Sequence, residues 1–160
     1  VNEELQEKLF KRYPKIFKQK DLPADQTCMC WGIDVGDGWY TLLDILCRDI
    51  QNHIDQMKRM HDHQKAKLDP ESTALENYPY VEQVEAVQVK EKFGGLRFYY
   101  QGGDDYIRGL VDMTESMSYR TCELCGKPGR NTKGGWINTF CPEHAAEKNV
   151  ELDYSEDEDE

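Results

Sequence analysis

The chain has 160 residues, 38% of them hydrophobic and 32% charged, and a formal net charge of -11. That length suits one ordinary domain, or one domain with a small metal-stapled appendage, and the low apolar content makes for a modest core. The charge argues against a duplex-DNA binder, which carries a clustered basic face, and no apolar run approaches the ~20 residues that span a bilayer.

In chain order, residues 3–13 read as a helix: Asn2 can cap it, Glu3 and Glu4 suit its positive end, and Leu5, Leu9 and Phe10 share a face. Pro14 ends it, and residues 18–36, with Pro23, Gly32 and Gly36, read as irregular. Residues 38–64 form the strongest helix, with Asp37 as its cap. Trp39, Leu42, Leu43, Leu46, Cys47, Ile50, Ile54 and Met57 recur at spacings of three and four. Residues 65–80 are polar, carry Pro70 and Pro79, and read as a loop. Val84 to Phe93 and Leu96 to Tyr100 then alternate with a period of two, and Gly94-Gly95 between them is a hairpin signal. Asp104-Asp105 open another helix, with Ile107, Leu110, Val111, Thr114 and Met117 as its buried stripe. A hairpin is not stable alone. The expected fold is therefore α+β, with long amphipathic helices packed on a β-hairpin.

The clearest chemistry lies near the C-terminus. Cys122, Cys125, Cys141 and His144 form a C-x2-C-x15-C-x2-H pattern, three thiolates and one imidazole at spacings that close a tetrahedral zinc site. Four protein ligands saturate zinc, so one structural Zn2+ is expected, with no open position for catalysis. Gly126 relieves the turn of the first pair, Trp136 to Phe140 is strand-like, and Pro142 suits the first turn of a helix that carries His144. Knuckle, hairpin and short helix amount to a treble-clef-like module. HNH nucleases share such modules but need a further histidine base, and His144 is the only histidine after residue 63. The expected organisation is an α+β domain over 1–120, a zinc module over 121–150 and a disordered acidic tail over 151–160. That tail holds seven acids and no base, which leaves only -4 for the rest of the chain.

Val89-Lys90-Glu91-Lys92-Phe93-Gly94-Gly95-Leu96-Arg97-Phe98-Tyr99 and Thr121-Cys122-Glu123-Leu124-Cys125-Gly126, with Gly135-Trp136, Cys141 to His144 and Gly36-Asp37-Gly38-Trp39, resemble a family of small, uncharacterised zinc-binding proteins encoded by bacteriophages and prophage-bearing bacteria. The resemblance covers roughly residues 31–146, a span of single-domain size. It implies a viral or prophage setting and brings no catalytic residues.

Other residues invite chemistry. Cys28, Cys30 and Cys47 with His53, His61 or His63 make a second metal site conceivable, although Cys47 falls on an apolar stripe. An enzyme would need those histidines in a cleft with Asp34, Asp37 or Asp62, and none has the spacing of a known triad or carboxylate pair. Gly102-Gly103-Asp104-Asp105 matches a nucleotidyl-cyclase signature, but the aspartates would repel a phosphate at a helix start. Lys90, Lys92 and Arg97 with Phe93, Phe98, Tyr99 and Tyr100 place cations among aromatics on a hairpin, a composition that suits single-stranded nucleic acid or RNA. Glu156, Asp157, Glu158, Asp159 and Glu160 suit docking on a basic protein surface. The cysteines do not pair evenly and no leader segment opens the chain, so a reducing cytoplasm is expected. The expected function is non-catalytic binding and modulation of a host or defence protein. The alternative is a single-strand or RNA accessory protein whose tail docks partners.

Overall fold

The computed structural model describes residues 1–69 and 76–157. Four helices are present among them: α1 (Glu3–Arg12), α2 (Tyr40–Lys67), α3 (Asp105–Ser118) and α4 (Pro142–Glu147). They accompany five strands: β1 (Ile33–Asp34), β2 (Glu85–Lys92), β3 (Gly95–Gln101), β4 (Arg130–Asn131) and β5 (Thr139–Phe140). One sheet runs β1-β2-β3, with β1 parallel and β3 antiparallel to β2, and β4-β5 form a separate antiparallel pair. The architecture is mixed α+β, as the residue periodicities require.

Capping chemistry accounts for two helix starts. Asn2 accepts the Leu5 N–H on α1 and Asp104 accepts the Ile107 N–H on α3. Asp37 does not cap α2, contrary to expectation. Its carboxylate instead takes the backbone N–H and the side-chain amide of Asn2, so it ties α1 to the start of α2, which Trp39 caps without a side-chain bond. Helix α2 runs three residues past the expected end, because Lys65 to Lys67 continue the ladder and two lysines suit its negative terminus.

The hairpin turn is Phe93-Gly94 and not Gly94-Gly95, since Lys92 pairs with Gly95. Both turn residues have positive φ, 52° at Phe93 and 77° at Gly94, as a two-residue primed turn demands. A bulge sits between Ala86 and Gln88. Beyond it Val89, Leu96 and Phe98 face inward and Gln88, Lys90, Lys92, Arg97 and Tyr99 face outward. Edge strand β3 is closed by α3, where Ser118 Oγ and Glu115 Oε1 accept the N–H groups of Leu96 and Phe98.

The main core gathers Leu9, Phe17, Trp39, Leu43, Leu46, Ile50, Val89, Leu96, Ile107 and Val111. Helix α3 buries Ile107, Val111, Thr114 and Ser118, whereas Met117, expected inside, is about half exposed. The correction follows from Ser118: its hydroxyl faces β3, which turns Met117 outward. A second cluster holds only Cys122, Phe140, Cys141 and Ala145, with Leu152 against it. Four small or aromatic residues make a slight apolar core for about thirty residues of chain.

Candidate metal centre

Local structure aims the four ligands at one point. The knuckle is closed by Gly126 N–H to Cys122 O (2.8 Å) and by Cys122 N–H to Lys127 O (2.7 Å), with Gly126 at φ 77°. Pro142 opens α4 where no donor is needed, and this first turn brings Cys141 and His144 to one side. Cys141 Sγ lies 3.2 Å from His144 Nδ1, Cys122 Sγ 3.5 Å from it, and Cys125 Sγ 3.7 Å from Cys141 Sγ. All four ligand atoms fall within 4.8 Å of one another, so they could hold a metal ion, and among the described residues this is the one such group.

The surroundings suit a cation. Burial pushes the Cys122 thiol up, but the N–H groups of Cys141, Cys125 and Leu124 aimed at its sulfur outweigh that and hold it below the ordinary thiol range. Cys125 is exposed, and its thiol is held up by desolvation and by the neighbouring sulfurs, against the Lys127 N–H. A bound cation favours the thiolate at both positions. On the far side of the ring, His144 Nε2 lies 3.9 Å from Glu147 Oε2, which is placed to orient the imidazole.

Backbone contacts fasten this module to the rest of the chain. Gly38 N–H donates to Glu123 O (2.8 Å), Gly36 N–H to Glu123 Oε1 (3.2 Å) and the Trp39 indole N–H to Thr121 O (2.8 Å). Burial raises the Glu123 carboxyl above its ordinary range, with the Gly36 N–H opposing. A Cβ on Gly38 would overlap the Cys122 carbonyl oxygen and lie 2.6 and 2.7 Å from the nitrogens of Gly126 and Cys125. The two glycines of Gly36-Asp37-Gly38-Trp39 thus let the knuckle sit directly on the entry to α2. From the other side, Thr139 Oγ1 donates to Gly94 O at the hairpin turn (2.6 Å).

Residues 151–157 are not the free strip their acidity suggests. Lys133 N–H bonds Glu151 O, Asp153 N–H bonds Asn131 O, and Leu152 packs on the small cluster. Leu152 is the apolar anchor the acidic composition conceals. Glu156 pairs with Arg120, and Asp157 closes a short 3-10 turn. Glu158, Asp159 and Glu160 lie outside the described residues.

The other candidates do not assemble. His53 Nε2 lies 2.8 Å from Asp104 Oδ2 and its ring stacks on Tyr106. His61 donates through Nδ1 to Tyr78 O and stacks on Tyr80, whose hydroxyl donates to Asp62. Cys47 is fully buried and its thiol is pushed far up by burial. Cys28 is exposed, and Cys30 points at its own turn. Asp104 and Asp105 serve as cap and first turn, and Asp104 is drawn to His53. Lys90, Lys92, Arg97 and Tyr99 do share the outer face of the hairpin, but Arg97 is spent on Tyr119 Oη (2.7 Å) and Leu96 O (2.8 Å). Phe93, expected among these aromatics, borders this face and is 66% exposed, and Trp136, which the sequence does not assign to a site, joins it at 81% exposed. The signal for Trp136 was a tryptophan directly after two glycines.

No helix among the described residues is long and apolar enough to cross a membrane. A scan against protein-family models and searches of known proteins and solved structures found no match to this chain.

Proposed function

We propose that this chain is a non-catalytic, zinc-stabilised protein of phage type that binds and modulates a host or defence protein. The observation that carries the reading is the closed set of four ligands. Tetrahedral zinc with the usual Zn–S and Zn–N bonds requires S···S edges of about 3.8 Å and S···N edges of about 3.6 Å. The 3.7 and 3.5 Å separations lie close to those edges, and the 3.2 Å one needs only a small outward shift. Knuckle, β4-β5 pair and α4 follow the order of a treble-clef-like module, and its four ligands leave zinc no vacancy for water or substrate. The scattering of His53, His61, Asp37 and Asp62 into separate structural contacts supports a binding role over catalysis. The phage setting rests on the likeness of the hairpin and knuckle stretches, and a cytoplasmic site of action follows from that setting.

Metal analysis of the purified protein tests the first half: one zinc per chain is expected, and a redox metal or a labile, water-exchanging ion overturns it. The second half is tested with tagged protein in lysate of a prophage-bearing host. A stoichiometric protein partner, lost with Cys141→Ser, is expected. Recovery of none in any host tested counts against the protein-binding role.

A further inference from the structure

The hairpin turn and the loop after β4 together expose more aromatic surface than the fold needs. Phe93 holds a left-handed conformation at φ 52°, in a turn that ordinarily takes Asn-Gly, and still turns its ring to solvent. Such strain at an exposed aromatic has no packing return, and strained backbone concentrates at ligand-binding positions. Trp136 follows Gly134 and Gly135, and neither glycine has a neighbour within 4 Å of where a Cβ would stand. Between Phe93 and Trp136 lies a cleft of about 250 Å³ that Lys90, Lys92 and Ile137 also line. That volume is below the span of about 300–1,000 Å³ usual for drug-sized ligands.

Lys90 and Lys92 also wall an adjoining groove of about 570 Å³ that runs past Gln88 to Tyr99. The two recesses therefore form one track, with the lysines in the middle and aromatics at both ends. From Gln88 to Phe93 the extended chain advances five residue steps, or about 17 Å. Neither lysine makes an ion pair among the described residues, while Lys92 Nζ sits 5.5 Å from the Phe93 ring centroid. Two carboxylates border the track. Glu91 turns back to accept the Gly94 N–H (2.7 Å), and Asp34 stands in register with Lys90 on β1.

We infer that this track binds an unpaired nucleic-acid strand, with bases stacked on Phe93, Trp136 and Tyr99 and phosphates on Lys90 and Lys92. Aromatic faces spaced along a strip of free cations are the chemistry that single strands require, and every base offers a π-face to them. A duplex buries its bases and offers nothing to stack. The net charge of -11 opposes loose electrostatic binding, so retention depends on stacking more than on charge. This site goes beyond the protein-binding role and does not depend on it.

The test uses the full, zinc-loaded chain and fluorescently labelled oligo(dT) and oligo(U) of about ten nucleotides, inside the 4–16 range of small single-strand folds. Anisotropy is read at about 50 mM salt and then across a salt series. Binding of the single strands and not of a blunt duplex of equal length is expected, and the two arms separate DNA from RNA. Phe93→Ala and Trp136→Ala should each weaken binding about 5- to 150-fold. Both side chains are exposed, so unfolding temperatures should stay unchanged. Trp31→Ala removes an equally exposed tryptophan outside the track and should leave binding intact. Lys90→Gln with Lys92→Gln should reduce the steepness of log K against log salt by about 1.4, two contacts at about 0.7 each. Absence of binding to either oligonucleotide, equal affinity for duplex, or full affinity in Trp136→Ala overturns the inference. So does quenching of Trp136 by an acidic peptide but by neither oligonucleotide, which assigns the track to a protein partner.

Discussion

Gly38→Ala perturbs the contact that joins the metal centre to the helical core. The added methyl would overlap the Cys122 carbonyl oxygen and crowd the nitrogens of Gly126 and Cys125, all backbone atoms that cannot rotate away. The knuckle must retreat by about 1 Å to restore van der Waals distance. Overpacking of this kind costs about 1–3 kcal/mol. The retreat also stretches Gly38 N–H to Glu123 O and Trp39 Nε1–H to Thr121 O, each worth about 1 kcal/mol. A total of about 3–5 kcal/mol corresponds to a fall in Tm of about 6–20 °C for a chain of this size. The assay is thermal unfolding by circular dichroism with zinc in excess, paired with chelator competition for zinc affinity. Gly109→Ala is the control. It stands in α3 with nothing within 4 Å of its would-be Cβ, so it should be neutral or raise stability by about 0.5–1 kcal/mol. If Gly38→Ala matches wild type in both Tm and zinc affinity, the knuckle does not rest on the α2 entry as described.

Three further outcomes follow from the geometry. Thiol alkylation of the native, zinc-loaded protein should modify exposed Cys28 and spare Cys47, and chelation should add Cys125 to the modified set, as read by mass spectrometry. Modification of Cys125 with zinc in place would contradict four-ligand binding. Asp104 is held below the ordinary carboxyl range: burial works against this, and the His53 and Ile107 hydrogen bonds prevail. Its charged form therefore stabilises the fold at neutral pH, and that advantage over Asp104→Asn should fade as pH falls below about 4. Urea midpoints for the two proteins at pH 7 and pH 3 check the sign, and a gap that widens in acid refutes it. Thr139→Val removes the bond to Gly94 O and leaves that carbonyl buried without its donor, at a cost of about 1–3 kcal/mol. Hydrogen exchange should quicken at the Phe93-Gly94 turn and leave α1 unchanged. Equal rates at the turn would mean the hairpin does not lean on β5.

The ligand set was legible because Cys122, Cys125, Cys141 and His144 are local pairs, and spacing within a knuckle or a single helical turn dictates where their donor atoms point. Helices α1, α2 and α3 were legible for a similar reason: Leu9 and Phe10, Leu43, Leu46 and Ile50, and Ile107 and Val111 repeat at the helical period. Strand β1 left no such trace, since Ile33–Asp34 is too short to show a period and exists only because β2 offers it an edge. Asp37 looked like a cap from its position, but Asn2 lies 35 residues away and competes for its carboxylate only once the chain has folded. Leu152 lies in the stretch whose acids predict a solvated tail, and its packing surface exists only once Cys122 and Phe140 have come together. Phe93 and Trp136 are 43 positions apart in the chain and share a cleft because Thr139 holds the β5 side of the module to the hairpin turn. Periodicity and ligand spacing act within a few residues, so the sequence by itself determined the α+β class and a four-ligand metal motif. Pairings across dozens of residues depend on which surfaces the folded chain presents, and those only the tertiary structure decided.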